Sequence, residues 1–172
     1  MLEAVDLHKS FQSNHAVQGV SLHLAAGESV GLVGPNGAGK STTIAMLSTL
    51  LKPDKGDVLL NGRSVTDDPA PLRALLGVVP QDIALYPELT AEENLRFFGS
   101  LYGLRGSSLA AAVDSALELV ALSDRRHEQI RKYSGGMKRR INIAAALLHD
   151  PKLVIMDEPT VGVDPQSRNH IL

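Results

Sequence analysis

The string Gly34-Pro35-Asn36-Gly37-Ala38-Gly39-Lys40-Ser41 constrains this chain more than any other feature, because it fits the pattern G-x-x-x-x-G-K-S/T. Glycines at 34, 37 and 39 let the backbone turn tightly and point consecutive amides inward, where side chains would block the approach of a phosphate. A helix that follows such a turn adds the positive end of its dipole. Lys40 is placed to reach the terminal phosphates, and Ser41 to offer its hydroxyl to Mg²⁺. The expected ligand is a nucleoside triphosphate with Mg²⁺. The flanking sequence suits that reading. Residues 29–33 are a nearly continuous apolar run, of the kind buried on both faces in a parallel sheet, and residues 42–51 carry helical spacing at Ile44, Leu47 and Leu51 before Pro53.

The remaining pattern alternates at first and then changes character. Residues 17–24, 56–60 and 77–79 are expected strands, with Asp68-Pro69 as a cap followed by proline at the first position of a helix. From about residue 83 to residue 150 the periodicity is helical without strands. Thr90-Ala91-Glu92-Glu93 forms a capping box, residues 109–122 are amphipathic and alanine-rich, and residues 136–148 form a third helix that ends near Pro151. A four-residue apolar strand, residues 153–156, then delivers Asp157 and Glu158 at its carboxyl end, the edge where ligands sit in open α/β sheets. Asp157 suits the outer shell of the Mg²⁺. Glu158 suits the orientation or deprotonation of an attacking water. Acidic residues that merely mark a strand end at solvent are the plainer reading of the pair, and its company with a phosphate loop favours the chemical one.

A length of 172 residues predicts one domain with room for an inserted lobe. The net charge of −2 gives no field that would draw nucleic acid or an anionic membrane, so an anion must be held locally. No cysteine is present, which excludes disulfides and thiolate metal sites and fits a reducing compartment. Glu3 and Asp6 stand where a signal peptide would be basic, so export is not expected. The longest apolar stretch, residues 141–148, is far shorter than the roughly 20 residues of a membrane helix. Any membrane spanning is expected of another chain.

Tyr133-Ser134-Gly135-Gly136-Met137 precedes the acidic pair and resembles the signature motif, commonly LSGGQ, of ATP-binding cassette (ABC) ATPases. Phosphate loop, Gln81, signature, acidic pair and Val161-Gly162-Val163-Asp164 follow one another in the ABC order, so the resemblance covers nearly the whole chain. The ending Met137-Lys138-Arg139-Arg140 is similar to the branch of antibiotic, multidrug and sodium exporters. The resemblance implies an α/β fold with a P-loop NTPase (RecA-like) core, a parallel sheet, N-terminal antiparallel strands and an inserted α-helical subdomain. Residues 1–82 and 151–172 would form the catalytic core, and residues 83–150 the helical subdomain with the signature.

It also implies site roles. Phe11 would stack on adenine with Val17 beside it; Gly34 to Ser41 and Thr42 would hold the phosphates, and Ser134, Gly135 and Gly136 those of a second nucleotide. Lys40, Gln81 and Glu158 would be catalytic, and Ser41, Gln81 and Asp157 would hold Mg²⁺. Core packing is the alternative for Phe11, and a polar loop position the alternative for Gln81. Ser134 also suits a helix cap whose Gly-Gly first turn leaves a bare, partially positive end. The implied assembly is a head-to-tail dimer, of two copies or with a paralogous ATPase subunit, in which each ATP lies between one phosphate loop and the other signature; two such sites close on themselves. A membrane subunit would be the further partner, with the chain peripheral on the cytoplasmic face of the cell membrane and no nucleic acid bound. Asp164-Pro165 matches the D-loop and is equally a helix start, and Lys138-Arg139-Arg140 is expected on a solvated helix face.

The match breaks after that. The family's switch histidine would fall beyond Leu172; His170 is too close to Glu158 for that role, and the other histidines lack metal-ligand spacing. The expectation is a partial nucleotide-binding domain in which binding survives better than turnover. The leading reading is an ATPase subunit that drives an exporter. Alternatives are a nucleotide-binding module with little turnover, and a non-transport ABC ATPase, against which the lack of coiled-coil insertions and of a basic surface counts. A small-molecule kinase would need neither Ser134-Gly135-Gly136 nor a glutamate directly after Asp157.

Overall fold

The computed structural model describes residues 1–158 as two compact units, one from Met1 to Leu76 and one from Gly77 onward. This division by contact groups the end strands with the helices packed on them, whereas the division expected from motifs, 1–82 with 151–172 and 83–150, groups them with the phosphate loop. The expected D-loop, Asp164-Pro165 and His170 lie outside the described residues.

In the first unit, β1 (Leu2–Phe11), β2 (Asn14–Leu24), β3 (Lys55–Leu60) and β4 (Arg63–Ser64) form a sheet in the order β2-β1-β3-β4 with antiparallel pairings. Along β1 the buried positions run Leu2, Ala4 and then Leu7, a change of phase that plain alternation forbids. An irregularity in the register between Ala4 and Leu7, with Asp6 at φ 48°, inserts the extra residue that restores Leu7 to the inner face. Helix α1 (Lys40–Leu47) buries Thr43, Met46 and Leu47, and α2 (Ala70–Arg73) buries Leu72. Helix α1 is shorter than the expected 42–51, because Thr49 turns left-handed at φ 60° and breaks the helical hydrogen-bond series. Pro69 is the N-cap of α2 and not its first residue, with the Asp68 carboxylate accepting the Ala70 amide at 3.4 Å.

One expectation fails outright here. Residues 29–33 form no strand; Val33 is 97% exposed and Val30 47% exposed. A run of apolar residues states a preference for burial, but a strand exists only through ladder partners on its flanks, and none pairs with this segment among the described residues.

In the second unit, β5 (Leu76–Val79) pairs with β6 (Leu153–Met156) in the parallel part of this mixed α/β fold. Helices α3 (Ala91–Leu101), α4 (Gly106–Leu119) and α5 (Gly135–Leu147) pack on one another around Leu95, Val113, Leu117, Ile130 and Ile141. Helix α5 is apolar on opposite faces: Ile141, Ala144 and Ala145 join that helical core, while Ile143 and Ala146 meet Val79 and Met156 of the strands. A helix apolar all round is one buried all round. Gly77 permits the contact, since a Cβ there would stand 2.5 Å from the carbonyl oxygen of Ala146. Strand β6 is less buried than its four apolar residues predict, with Val154 36% exposed.

Helix α3 opens on the expected capping box. The Thr90 hydroxyl accepts the Glu93 amide at 3.1 Å, and the Glu93 carboxylate accepts the Thr90 amide at 2.8 Å. The Thr90 amide and the Thr90 hydroxyl, both donating to the Glu93 carboxylate, hold its carboxyl below the usual glutamate range. The box is therefore intact above that range and is lost as the pH falls through the lowered pKa. Thr90→Ala is expected to cost about 1 kcal/mol, measured as a lower urea midpoint at unchanged slope; an unchanged midpoint would show that α3 is held by packing alone.

Candidate functional site

The phosphate loop belongs to the first unit. Gly37 and Gly39 take φ of 82° and 83°, left-handed backbone that ordinary residues avoid, and between them the Ala38 amide donates to the Pro35 carbonyl at 3.2 Å. At Gly39 space is decisive as well: a Cβ would lie 2.3 Å from the Ala16 carbonyl oxygen and 3.2 Å from Cγ2 of Val17. Strand β2 closes over this point. Helix α1 begins at Lys40 with no side-chain cap, so the amides of its first turn keep their hydrogen-bonding capacity for a ligand. The Lys40 ammonium folds back over the loop, donating to the carbonyls of Gly34 at 2.9 Å and Pro35 at 3.0 Å. Gly34, Pro35, Asn36, Gly37, Ala38 and Ser41 are reachable from solvent, while Thr42 is half-buried.

Phe11 ends β1 opposite Asn14 and is 49% exposed, so it is not a core residue. Val17, expected beside it, is turned inward at 4% exposure. An exposed aromatic face suits stacking on a base.

The carboxylates belong to the second unit. The Asp157 amide donates to the Val79 carbonyl at 3.0 Å and so carries the β5-β6 pairing to its end. Just beyond, the Gln81 side-chain amide donates to the Glu158 carboxylate at 3.0 Å, bringing together two of the residues singled out in the sequence. Glu158 has φ 47°, left-handed for a residue with a side chain, a conformation that costs on the order of 1–3 kcal/mol and persists only where surroundings enforce it. The Gln81 nitrogen is the atom engaged by Glu158, and its amide oxygen is a group of the kind that hard cations accept as a ligand.

The signature forms the start of α5. The Ser134 hydroxyl accepts the Met137 amide at 3.2 Å, as expected of a cap. Ser134 and Gly135 are exposed, and Gly136 is buried. Tyr133 anchors the segment from beneath, buried, with its hydroxyl donating to the Arg125 carbonyl at 2.7 Å.

The basic run after the signature is not the solvated face expected of it. Lys138 and Arg140 are half-buried, Arg140 donating to the Val120 carbonyl at 2.8 Å, and Arg139 is 3% exposed. The Arg139 guanidinium donates to the carbonyls of Pro80, Gln81 (3.0 Å), Asp157 (3.0 Å) and Glu158 (3.1 Å). One turn along α5, Asn142 accepts the Ala84 amide at 3.2 Å, and Asn94 binds both the amide and the carbonyl of Tyr86, at 2.8 and 3.1 Å. These buried polar residues shape the loop that carries Gln81, and sequence motifs pointed to none of them. A signal was present: polar residues embedded in an all-round apolar helix must find internal partners.

A glycine turn with two left-handed residues, an uncapped helix start and a strand-end carboxylate pair define a nucleotide-binding α/β protein. Residues 17–161 match the family model described as ABC transporter, and the chain belongs to that family. It is 52% identical over 172 residues, its full length, to the linearmycin resistance ATP-binding protein LnrL of Bacillus subtilis (strain 168), covering 55% of that protein. It is 43% identical over 170 residues to the Nod factor export ATP-binding protein I of Paraburkholderia xenovorans (strain LB400), covering 99% of this chain and 56% of that one. The chain thus spans about half the length of these curated relatives. A solved dimeric ATP-binding cassette, MJ0796, in a post-hydrolysis state bound to ADP and Pi, superimposes with a TM-score of 0.88 at 27% identity, over 99% of this chain and 79% of that one.

Proposed function

We propose that this chain binds and hydrolyses ATP as the motor part of an ABC exporter, its two nucleotide sites completed in a head-to-tail dimer. The observation that carries the reading is the phosphate loop itself: left-handed Gly37 and Gly39, a helix start without a side-chain cap, and the ammonium of Lys40 poised over the turn. The loop amides and Lys40 would bind the terminal phosphates, Phe11 would stack on the adenine, and Ser134, Gly135 and Gly136 would face the nucleotide of the partner subunit.

The reading assigns Mg²⁺ to the hydroxyl of Ser41, the carboxylate of Asp157 and the amide oxygen of Gln81, hard donors of the kind it prefers; it is the Gln81 nitrogen that bonds Glu158. Bound there, Mg²⁺ would neutralise the charge that builds on the phosphate oxygens. Glu158 would align the attacking water and accept its proton, with Gln81 fixing the direction of the carboxylate.

Among the described residues no helix is long and apolar enough to cross a membrane, which suits a motor that works on a separate membrane subunit. Two relatives named for linearmycin resistance and Nod factor export support outward transport, and the dimeric cassette supports the dimer. The chain would then sit at the cytoplasmic face of the membrane through its partner, with no call for nucleic acid.

The full-length protein, purified with Mg²⁺, is expected to hydrolyse ATP and to sediment as a dimer when ATP is present. Failure to bind ATP would overturn the proposal, and tight binding without turnover would replace it with a nucleotide-binding module.

A further inference from the structure

We infer that Arg139 is a positioning residue for ATP hydrolysis, holding Gln81 and Glu158 in register through the backbone carbonyls on either side of them; the inference rests on the function proposed above.

The geometry carries it. A guanidinium is a rigid planar fork of five N–H donors with no acceptor, and one such group here spans two chain segments remote in sequence. Its donors reach Pro80 and Gln81 at the end of β5, and Asp157 and Glu158 at the end of β6. Both pairs of carbonyls must converge on one plane to satisfy it, so the two strand ends keep a fixed separation. The side-chain bond from Gln81 to Glu158 then closes between residues whose backbones are already set.

Burial reinforces the constraint. At 3% exposure the cation has little water to fall back on, and desolvation pulls its pKa below the ordinary arginine value while Asp157 opposes that. A buried charge depends on its hydrogen-bond partners, so any opening of the Gln81 loop away from Glu158 breaks bonds that solvent does not readily replace. The left-handed backbone at Glu158 needs the same enforcement, and the bond from Arg139 to the Glu158 carbonyl supplies part of it.

Two substitutions in the full-length protein test this. Methionine at 139 fills similar volume without donors, whereas lysine keeps the charge but not the planar fork. ATP affinity, supplied by the phosphate loop, is expected to stay within about threefold of the original in both, because neither change touches the groups that bind ground-state phosphate. Turnover per nucleotide-binding molecule is expected to fall by about 10–100-fold in Arg139→Met, the effect of a small misplacement at the reacting centre, and by less in Arg139→Lys.

Hydrogen exchange at the Asp157 amide, bonded to Val79, reads the same geometry directly and is expected to accelerate in the order Met over Lys over Arg. An effect on folding alone would lower the amount of binding-competent protein and leave turnover per binding site unchanged. That result in either variant that folds, or unchanged exchange at Asp157, overturns the inference while leaving the proposed ATPase intact. A wild-type protein without turnover overturns the ATPase reading, and this inference with it.

Discussion

Replacing Glu158 by glutamine is expected to lower ATP turnover by about 10²–10⁴-fold, the range that a positioned general base contributes, while leaving ATP binding nearly untouched. The substitution is conservative where structure is concerned. Glutamine keeps the length of the side chain, and its amide oxygen accepts the bond that Gln81 now donates to the carboxylate at 3.0 Å. What it loses is a charge able to draw the proton from water. With binding intact and hydrolysis blocked, the ATP-bound dimer should accumulate, because the event that would open it no longer occurs. Steady-state turnover and sedimentation velocity with ATP and Mg²⁺ measure the two halves of this expectation. A variant that hydrolyses at the normal rate, or one that binds ATP and stays monomeric, removes Glu158 from its assigned role.

Lys40→Ala is expected to fail at the opposite step. Among the described residues the ammonium bonds the Gly34 and Pro35 carbonyls on the rim of its own loop, so its removal should change the stability of the free protein by no more than about 0.5 kcal/mol. Its charge-assisted bonds to phosphate are worth about 1.5–3 kcal/mol, which corresponds to roughly 10–100-fold in ATP affinity. Turnover should fall further, by about 10²–10³-fold, because negative charge on the transferred group grows in the transition state. Titration calorimetry reads the affinity directly. Thermal unfolding offers a second measure: ATP at 100 times the dissociation constant stabilises a protein by about 2.7 kcal/mol, and the variant should lose most of that gain at the same ATP concentration. Undiminished ATP affinity in Lys40→Ala would mean that the ammonium does not face the nucleotide at all.

The two variants together separate binding from chemistry. Lys40→Ala weakens the ground state, whereas Glu158→Gln spares it, and Arg139→Met should resemble the second in kind but not in size. Such a graded set distinguishes a group that acts on water from one that only aims another group.

Several features were legible because they depend on single residues and their near neighbours. The left-handed turns at 37 and 39 follow from glycine, the capping of α3 follows from Thr90 and Glu93 three positions apart, and the Ser134 cap follows from a serine ahead of Gly-Gly. Strand β6 was visible as an apolar run with two acids at its end. The state of the segment before the phosphate loop was not, because residues 29–33 carry the composition of a buried strand without a partner to pair with among the described residues. Arg139 was misjudged for a related reason. In the sequence it is the middle of three cations at a helix start, and local pattern places such a run in water; in the fold the same position of α5 meets the backbone carbonyls of two strand ends.

The sequence alone thus determined where the glycine turn, the helix caps and the strand-end carboxylates fall and in what order they come, since glycine torsions, helix caps and the charges of Lys40, Asp157 and Glu158 are properties of residue type and short-range spacing. Tertiary structure decided which cation is buried, how Gln81 meets Glu158, and which apolar run becomes a strand. Burial and strand pairing depend on what lies across space, and residues such as Gln81 and Glu158, remote along the chain, acquire a common environment only when the helices and strands between them have packed.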